Sequence, residues 1–89
     1  MHQAHLKITG IVQGVNFRFT AREMAKSLGL AGFAKNLPDG SVEILVQGDE
    51  AAISSFINWC HQGPPTAKVE KVHIEWGNSH NHIGGFTIS

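Results

Sequence analysis

Hydrophobic and polar residues alternate along the first dozen positions of the chain, with Leu6, Ile8 and Val12 on the apolar side. This period of two is typical of a strand that is covered on one face. The period then changes, and apolar residues recur three and four apart at Phe17, Ala21, Met24, Ala25 and Leu28. The spacing predicts a helix over residues 16–28, which Gly29 is well placed to end.

A hairpin and a second helix follow. Residues 32–37 are typical of a strand, and the turn sequence Pro38-Asp39-Gly40 connects them to a third strand that alternates at Val42, Ile44 and Val46. Asp49 then precedes a second amphipathic helix, whose apolar stripe comprises Ile53, Phe56, Ile57 and Cys60. Pro64 and Pro65 lack the N–H groups that would continue this helix.

Two more strands complete the pattern. Val72, Ile74 and Trp76 alternate with polar residues, and residues 86–88 form a short apolar run suited to a sheet edge. We therefore predict an α+β, ferredoxin-like split β-α-β sandwich of order βαββαβ, with a short C-terminal edge strand. Two helices would lie on one face of an antiparallel sheet. We expect residues 1–89 to form a single domain, with Trp59 and Trp76 packed in its core.

Composition excludes several classes of protein. Lys and Arg number 7 and Asp and Glu number 7, so the formal net charge is zero and nonspecific nucleic-acid binding is not expected. No apolar run approaches the ~20 residues that span a bilayer, and the first residues do not resemble a secretion signal. We expect a soluble, cytoplasmic protein with no membrane partner. Cys60 lies on an apolar stripe, which predicts a buried side chain rather than a nucleophile.

Histidines raise the question of a metal site. The chain has six, and the most suggestive pattern is His80-Asn81-His82. A structural zinc site needs four ligands at defined spacings, and the nearest further ligands, His73 and Glu75, lie across a loop that contains glycine. We expect exposed histidines, no bound metal and no cofactor.

Residues 10–18 carry the chemistry, because an apolar strand there runs into a glycine-bearing turn that ends in arginine. Gly14 permits close approach of the main chain, and the turn and helix start present consecutive N–H groups. The guanidinium of Arg18 can bind a phosphate through two parallel hydrogen bonds. The predicted phosphate-binding residues are Gln13, Gly14, Val15, Asn16, Phe17 and Arg18. We prefer Asn16 as the helix N-cap, although residues 20–23 also match a capping box. Taken alone, such a turn is a weak signal of function.

Two segments together resemble the acylphosphatases, small enzymes that hydrolyse the mixed anhydride of a carboxylic acid and phosphate. Residues 10–18 are similar to the first signature of that family, and residues 32–48 are similar to the second. Gly63, Pro64, Ala67, Val69 and Val72 fit its downstream pattern, so the resemblance covers nearly the whole chain. One departure is Asn16, which stands where many members have a second glycine. Asparagine tolerates positive φ better than most residues.

The resemblance implies roles for particular residues. Arg18 would bind the phosphoryl group, Asn36 would position the attacking water, and the turn amides would complete the cradle. It implies neither a metal nor a phosphoenzyme, and a small acyl phosphate would be the partner of a monomeric enzyme. Taken without the resemblance, Asn36 is a turn-proximal polar residue typical of hairpins.

Two other functions are compatible with the fold. One is a noncatalytic phosphate- or RNA-binding module, since RNA-recognition domains share the ferredoxin-like sheet. The zero net charge and the absence of aromatic residues from residues 41–47 argue against RNA. The other is a domain that handles carbamoyl phosphate, like those at the start of hydrogenase-maturation proteins.

Overall fold

The helices and strands follow one another in the predicted order. The computed structural model describes residues 1–79 and 81–89. Its elements there are β1 (His2–Ile11), α1 (Phe17–Ser27), β2 (Ala31–Asn36), β3 (Val42–Gly48), α2 (Glu50–Cys60), β4 (Lys68–Asn78) and β5 (Phe86–Ile88). The predicted α+β, ferredoxin-like fold is confirmed, and the main change in bounds is a longer fourth strand.

The strands form one sheet in the order β4-β1-β3-β2-β5. β1 pairs antiparallel with both β3 and β4, and β3 pairs antiparallel with β2. β5 instead pairs parallel with β2, so the sheet is mixed and the prediction of a wholly antiparallel sheet is wrong at this edge. The reason is topological. The chain leaves β4 at one edge and enters β5 at the other from the same end of the sheet, so β5 runs opposite to β4 and along β2.

One hydrophobic core joins the sheet to both helices. β1 alternates as the sequence predicts, with Ala4, Leu6 and Ile8 fully buried. The helices contribute two buried stripes to the same cluster, Phe17, Ala21 and Ala25 from α1 and Ile53, Phe56, Ile57 and Cys60 from α2. Full burial of a large apolar side chain stabilises a fold by about 1.5–3 kcal/mol. The start of α1, at Phe17, and the body of β1 are therefore both anchored in this core.

The two tryptophans differ in their surroundings. Trp59 packs against the core, with its ring centroid 5.3 Å from that of Phe17. Trp76 is 48% exposed, so the prediction of a core position is wrong for this residue. Its strand is the edge strand β4, which has a neighbouring strand on one side only. The alternation of apolar and polar residues predicts which face of the sheet a side chain lies on. How far that side chain is buried also depends on whether its strand lies at the centre or at the edge of the sheet.

Burial also settles the state of Cys60. Its side chain is fully buried, as predicted, and burial in apolar surroundings raises the pKa of the thiol well above its usual range. The thiol is therefore protonated and is not a nucleophile in the folded protein. In the part of the chain that the structure describes, no helix is long and apolar enough to cross a membrane.

Candidate active site

The segment between β1 and α1 makes two tight changes of direction. Val12 is buried and anchors its start, and Phe17, also buried, anchors its end. Between them Gly14 has φ +75° and Asn16 has φ +62°, both in the left-handed region. The left-handed backbone conformation costs little free energy at glycine. At asparagine it costs less than at most other residues that have a side chain. The sequence therefore places a tolerant residue at each point where the chain must turn.

Asn16 is the N-cap of α1, as predicted, but its side chain makes no capping hydrogen bond. An N-cap residue usually caps from an extended backbone, and the left-handed conformation of Asn16 departs from that geometry. Its main-chain oxygen instead accepts hydrogen bonds from the N–H of Thr20 at 3.0 Å and from the hydroxyl of Thr20 at 2.9 Å. The expected side-chain cap is thus wrong, while the expected position of the helix start is confirmed.

The main-chain N–H groups of this segment are unused. Among residues 1–79 and 81–89, no group accepts a hydrogen bond from the N–H groups of residues 13–18. Those of the first helical turn also lie at the positive end of the helix dipole. The segment itself is held from outside, because the hydroxyl of Thr66 donates to the main-chain oxygen of Val15 at 2.9 Å. This arrangement is suited to binding an anion.

The side chain of Gln13 binds the neighbouring hairpin. Its Nε2 donates to the main-chain oxygens of Leu37 and Ser41, each at 2.8 Å. Both amide protons are thereby engaged in the turn between β2 and β3. Gln13 was predicted to bind phosphate, and its main-chain N–H is the donor that it still has available for that purpose.

Arg18 and Asn36 come together at one cleft of about 180 Å³. The residues that line it are Val12, Gly14, Asn16, Phe17, Arg18, Phe19 and Asn36. Asn36 is exposed at the end of β2, and Arg18 is half-buried in the first turn of α1. The guanidinium of Arg18 is steadied by donating from Nη1 to the main-chain oxygen of Ser89. Two of the residues predicted from sequence, Gln13 and Val15, are not in the lining.

Phe19 is a lining residue that sequence reasoning did not identify. Phe19 is 57% exposed. The signal was present in the helical pattern, because the apolar stripe runs through Phe17 and Ala21 and Phe19 lies off that stripe. An aromatic residue off the buried face of a helix and next to Arg18 could therefore have been singled out from the sequence as a candidate lining residue.

Arg18 carries the only charge among the lining side chains of the cleft in the described structure. The nearest hairpin carboxylate, Asp39, is engaged elsewhere: Lys7 Nζ lies 2.8 Å from its Oδ2, and the main-chain N–H of Ser41 donates to its Oδ1. The hydrogen bond from Lys7, with those from Ser41, holds the pKa of Asp39 far below its usual range. Asp39 thus remains an ionised structural group, and the lining contains no carboxylate.

Potential metal ligands do not cluster in the described residues. No group of three or more His, Cys, Asp or Glu side chains comes together within residues 1–79 and 81–89. His82 of the His80-Asn81-His82 pattern is exposed. His80 lies outside the described residues.

Known proteins are similar to this chain in sequence and in fold. The family model described as Acylphosphatase matches residues 4–88. An acylphosphatase of Anaeromyxobacter dehalogenans is 43% identical over 86 residues, which are 97% of this chain and 92% of that protein. The crystal structure of acylphosphatase from Bacillus subtilis superposes with a TM-score of 0.97 at 37% identity, covering 100% of this chain and 99% of that one. HypF from T. kodakarensis superposes with a TM-score of 0.87 at 31% identity over 100% of this chain but 12% of its own.

Proposed function

The chain belongs to the acylphosphatase family and is a hydrolase acting on acyl phosphates, and we propose that Arg18 and Asn36 perform the reaction in the cleft between the 13–18 segment and β2. One observation carries this assignment. Arg18 and Asn36 come from separate elements, α1 and β2, yet both line one cleft. The main-chain N–H groups of residues 13–18 beside it have no hydrogen-bond partner among the described residues. An anion-binding group and a water-orienting group thus share one small space.

Phosphoryl binding falls to Arg18 and the main-chain amides. In a loose transition state the negative charge is spread over the phosphoryl oxygens, and preorganised donors stabilise that charge without reorganising during the reaction. The guanidinium contributes a planar pair of donors, and its contact with the main-chain oxygen of Ser89 limits its freedom. The amides of residues 13–18 complete the donor set.

Asn36 has a different task. Its side-chain amide orients a water molecule by hydrogen bonding but cannot accept the proton of that water. The water oxygen forms a bond to phosphorus, the bond from phosphorus to the acyl oxygen breaks, and the carboxylate departs with the electron pair. The released proton passes to a phosphate oxygen of the substrate or to solvent. A carboxylate is a good leaving group, so this step requires no strong base, no metal and no covalent phosphoenzyme.

The test is hydrolysis of benzoyl phosphate in the presence of a chelator. Wild type is compared with Arg18→Ala and Asn36→Ala, and Asn58→Ala, an exposed asparagine of α2, serves as the matched control. Loss of one preorganised donor commonly lowers kcat about 10²- to 10³-fold. We expect that loss in both site variants and none in Asn58→Ala, with unchanged thermal unfolding. Full activity in either site variant would refute the role given to that residue.

The other functions considered from sequence gain no support from the outer face of the sheet. On the face of the sheet opposite the helices, two lysines are paired with carboxylates, since Lys35 Nζ lies 3.1 Å from Glu43 Oε1 and Lys7 Nζ lies 2.8 Å from Asp39 Oδ2. Such pairing does not favour RNA. The likeness to HypF extends over 12% of that protein, against 92% of the Anaeromyxobacter acylphosphatase, so the activity of the latter is the one assigned.

Three further expectations stay predictions, namely a single domain over residues 1–89, a monomer in solution and a cytoplasmic location. Size-exclusion chromatography with light scattering tests the second. A mass near 9.6 kDa is expected, and a mass twice as large would contradict it.

A further inference from the structure

Phe19 is the exposed apolar side chain of the cleft. Among the residues described, the exposed large hydrophobics are Met1, Ile11, Phe19 and Trp76. Of these, Phe19 alone lines the cleft. The other apolar lining residues, Val12 and Phe17, are each 1% exposed and belong to the core. A molecule entering the cleft therefore meets the ring of Phe19 as its accessible apolar surface.

The position of the Phe19 ring is constrained. The guanidinium carbon of Arg22 lies 4.9 Å from the ring centroid, within the range of a cation–π interaction. Arg22 lies three residues further along α1, so both groups are on the same side of the helix. The contact leaves Phe19 exposed to solvent, at 57% for the residue. The ring is thus held at the rim without being covered.

The size of the cleft places the acyl group of a substrate near this ring. Sites that enclose whole small molecules commonly measure about 300–1,000 Å³. The cleft here measures about 180 Å³. If the phosphoryl group occupies the space beside Arg18, a large acyl group extends from it towards the rim, and Phe19 directly follows Arg18 in the chain.

We propose that Phe19 is a specificity-determining residue that contacts the acyl group of the substrate and favours aromatic or extended apolar acyl phosphates over acetyl phosphate. The proposal rests on the function assigned above. The charge of the lining supports it, because Arg18 carries the only charge among the lining side chains in the described structure. In the proposed function that charge is used to bind the phosphoryl group. An anionic acyl group gains no second cation from the lining, whereas an apolar one removes the Phe19 ring from water.

The alternative is that Phe19 serves only to pack against Arg22. A purely structural role affects stability, and it alters the hydrolysis of every acyl phosphate to the same extent. A contact with the acyl group instead alters the hydrolysis of large apolar substrates more than that of acetyl phosphate. The ratio of the two specificity constants therefore separates these roles.

The experiment measures kcat and KM for acetyl phosphate and for benzoyl phosphate. It compares wild type with Phe19→Ala and Phe19→Leu, and Trp76→Ala is the control because Trp76 is also exposed but lies on β4 and does not line the cleft. An aromatic pair contributes about 0.5–1.5 kcal/mol beyond area burial, which corresponds to roughly a two- to twelvefold change. We expect Phe19→Ala to lower the benzoyl-to-acetyl ratio of kcat/KM by that factor, mainly through a higher KM for benzoyl phosphate.

Phe19→Leu should retain part of the preference, and Trp76→Ala should leave the ratio unchanged. The proposal is overturned if Phe19→Ala hydrolyses both substrates with the wild-type ratio, whether or not its melting temperature falls. That result would leave the assigned function intact, because hydrolysis would still occur. A wild-type protein inert towards both substrates would instead overturn the assigned function, and the role of Phe19 with it.

Discussion

The side-chain nitrogen of Gln13 lies 2.8 Å from the main-chain oxygen of Leu37, the residue that follows Asn36. The same nitrogen donates to the oxygen of Ser41 at 2.8 Å, and Leu37 and Ser41 are themselves joined by a main-chain hydrogen bond of 2.9 Å. One side chain therefore ties the segment between β1 and α1 to the hairpin that carries Asn36. We expect this tie to help set the distance between Arg18 and Asn36 across the cleft.

Replacing Gln13 by methionine should lower activity by more than its effect on stability explains. Gln13→Met keeps the length of the side chain but removes both donors, which costs on the order of 1 kcal/mol of stability for each hydrogen bond. A small displacement of reacting groups costs up to about 10²-fold in rate, and we expect kcat for benzoyl phosphate to fall at least tenfold. Kinetics and thermal unfolding of the same preparation provide both readouts.

The matched control for this variant is Gln47→Met. Gln47 is a buried glutamine whose Nε2 donates to Gln3 Oε1 and whose Oε1 accepts from the N–H of Ile83, at the end of β3 remote from Asn36. Its loss should lower the melting temperature and leave kcat unchanged. Equal kcat losses in the two variants would show that general destabilisation, rather than positioning, explains the effect.

Arg18→Lys should fail almost as completely as Arg18→Ala. Lysine keeps the charge but replaces a planar pair of donors by a point charge on a flexible stem, and it cannot reproduce the parallel hydrogen bonds. We expect kcat/KM for benzoyl phosphate to fall about 10²-fold. Arg22→Lys, on the same helix and outside the cleft lining, is the control and should retain most activity. Wild-type kinetics in Arg18→Lys would rule out a bidentate grip on the phosphoryl group.

Local periodicity explains what the sequence predicts correctly. The alternation in β1 and the helical spacing in α1 are set by neighbours within two to four residues, and the structure buries Phe17, Ala21 and Ala25 of that helix. The tolerance of Asn16 for positive φ is also a property of one residue and is confirmed by its φ of 62°. Such features depend on short-range geometry, which a sequence displays directly.

Contacts between residues far apart in the sequence explain the features that could not be predicted from it. Whether β5 lies parallel or antiparallel to its neighbour depends on where the chain crosses the sheet, and no local pattern records it. The exposure of Trp76 depends on the edge position of β4. The bond between Gln13 and Leu37 spans 24 residues and has no signature in the residues around Gln13. Each feature is decided by which surfaces meet after folding.

Substitutions at Asn16 should separate backbone conformation from side-chain chemistry. Asn16→Val places a β-branched residue at φ 62°, which costs about 1–2 kcal/mol of stability. Asn16→Gly removes the strain but gives the unfolded chain more freedom, so the two effects nearly cancel to within about 0.5 kcal/mol. Because the side chain makes no capping bond, Asn16→Gly should keep wild-type kcat. Urea unfolding and benzoyl phosphate kinetics check both points, and an inactive Asn16→Gly would assign a chemical role to the amide side chain.

We expect acid to destabilise the fold, because it protonates two carboxyl groups, those of Glu43 and Asp39, that are paired with cations in the folded protein. Glu43 Oε2 lies 2.6 Å from His5 Nε2, and Oε1 lies 3.1 Å from Lys35 Nζ. The hydrogen bond with His5, followed by that with Lys35, lowers the pKa of Glu43 below its ordinary value of 4.5. Lys7 and Ser41 lower the pKa of Asp39 in the same direction. The unfolded chain therefore binds protons more readily than the folded one at both carboxyls.

The sign of the effect follows from linkage. Stability from a carboxyl whose pKa is depressed on folding is fully present above the unfolded pKa and is lost as the pH falls through the folded pKa. For Glu43 the loss begins as the pH falls below about 4.5, the ordinary value of its pKa. We expect the urea midpoint to decline between pH 6 and pH 3 by less in Glu43→Gln than in wild type, because glutamine does not titrate.

The matched control is Glu70→Gln. Glu70 is an exposed residue of β4 and has no ion-pair partner among the described residues, so the urea midpoint of this variant should decline with pH as that of wild type does. A midpoint equally sensitive to acid in Glu43→Gln and wild type would show that the pairing of Glu43 with His5 and Lys35 does not stabilise the fold.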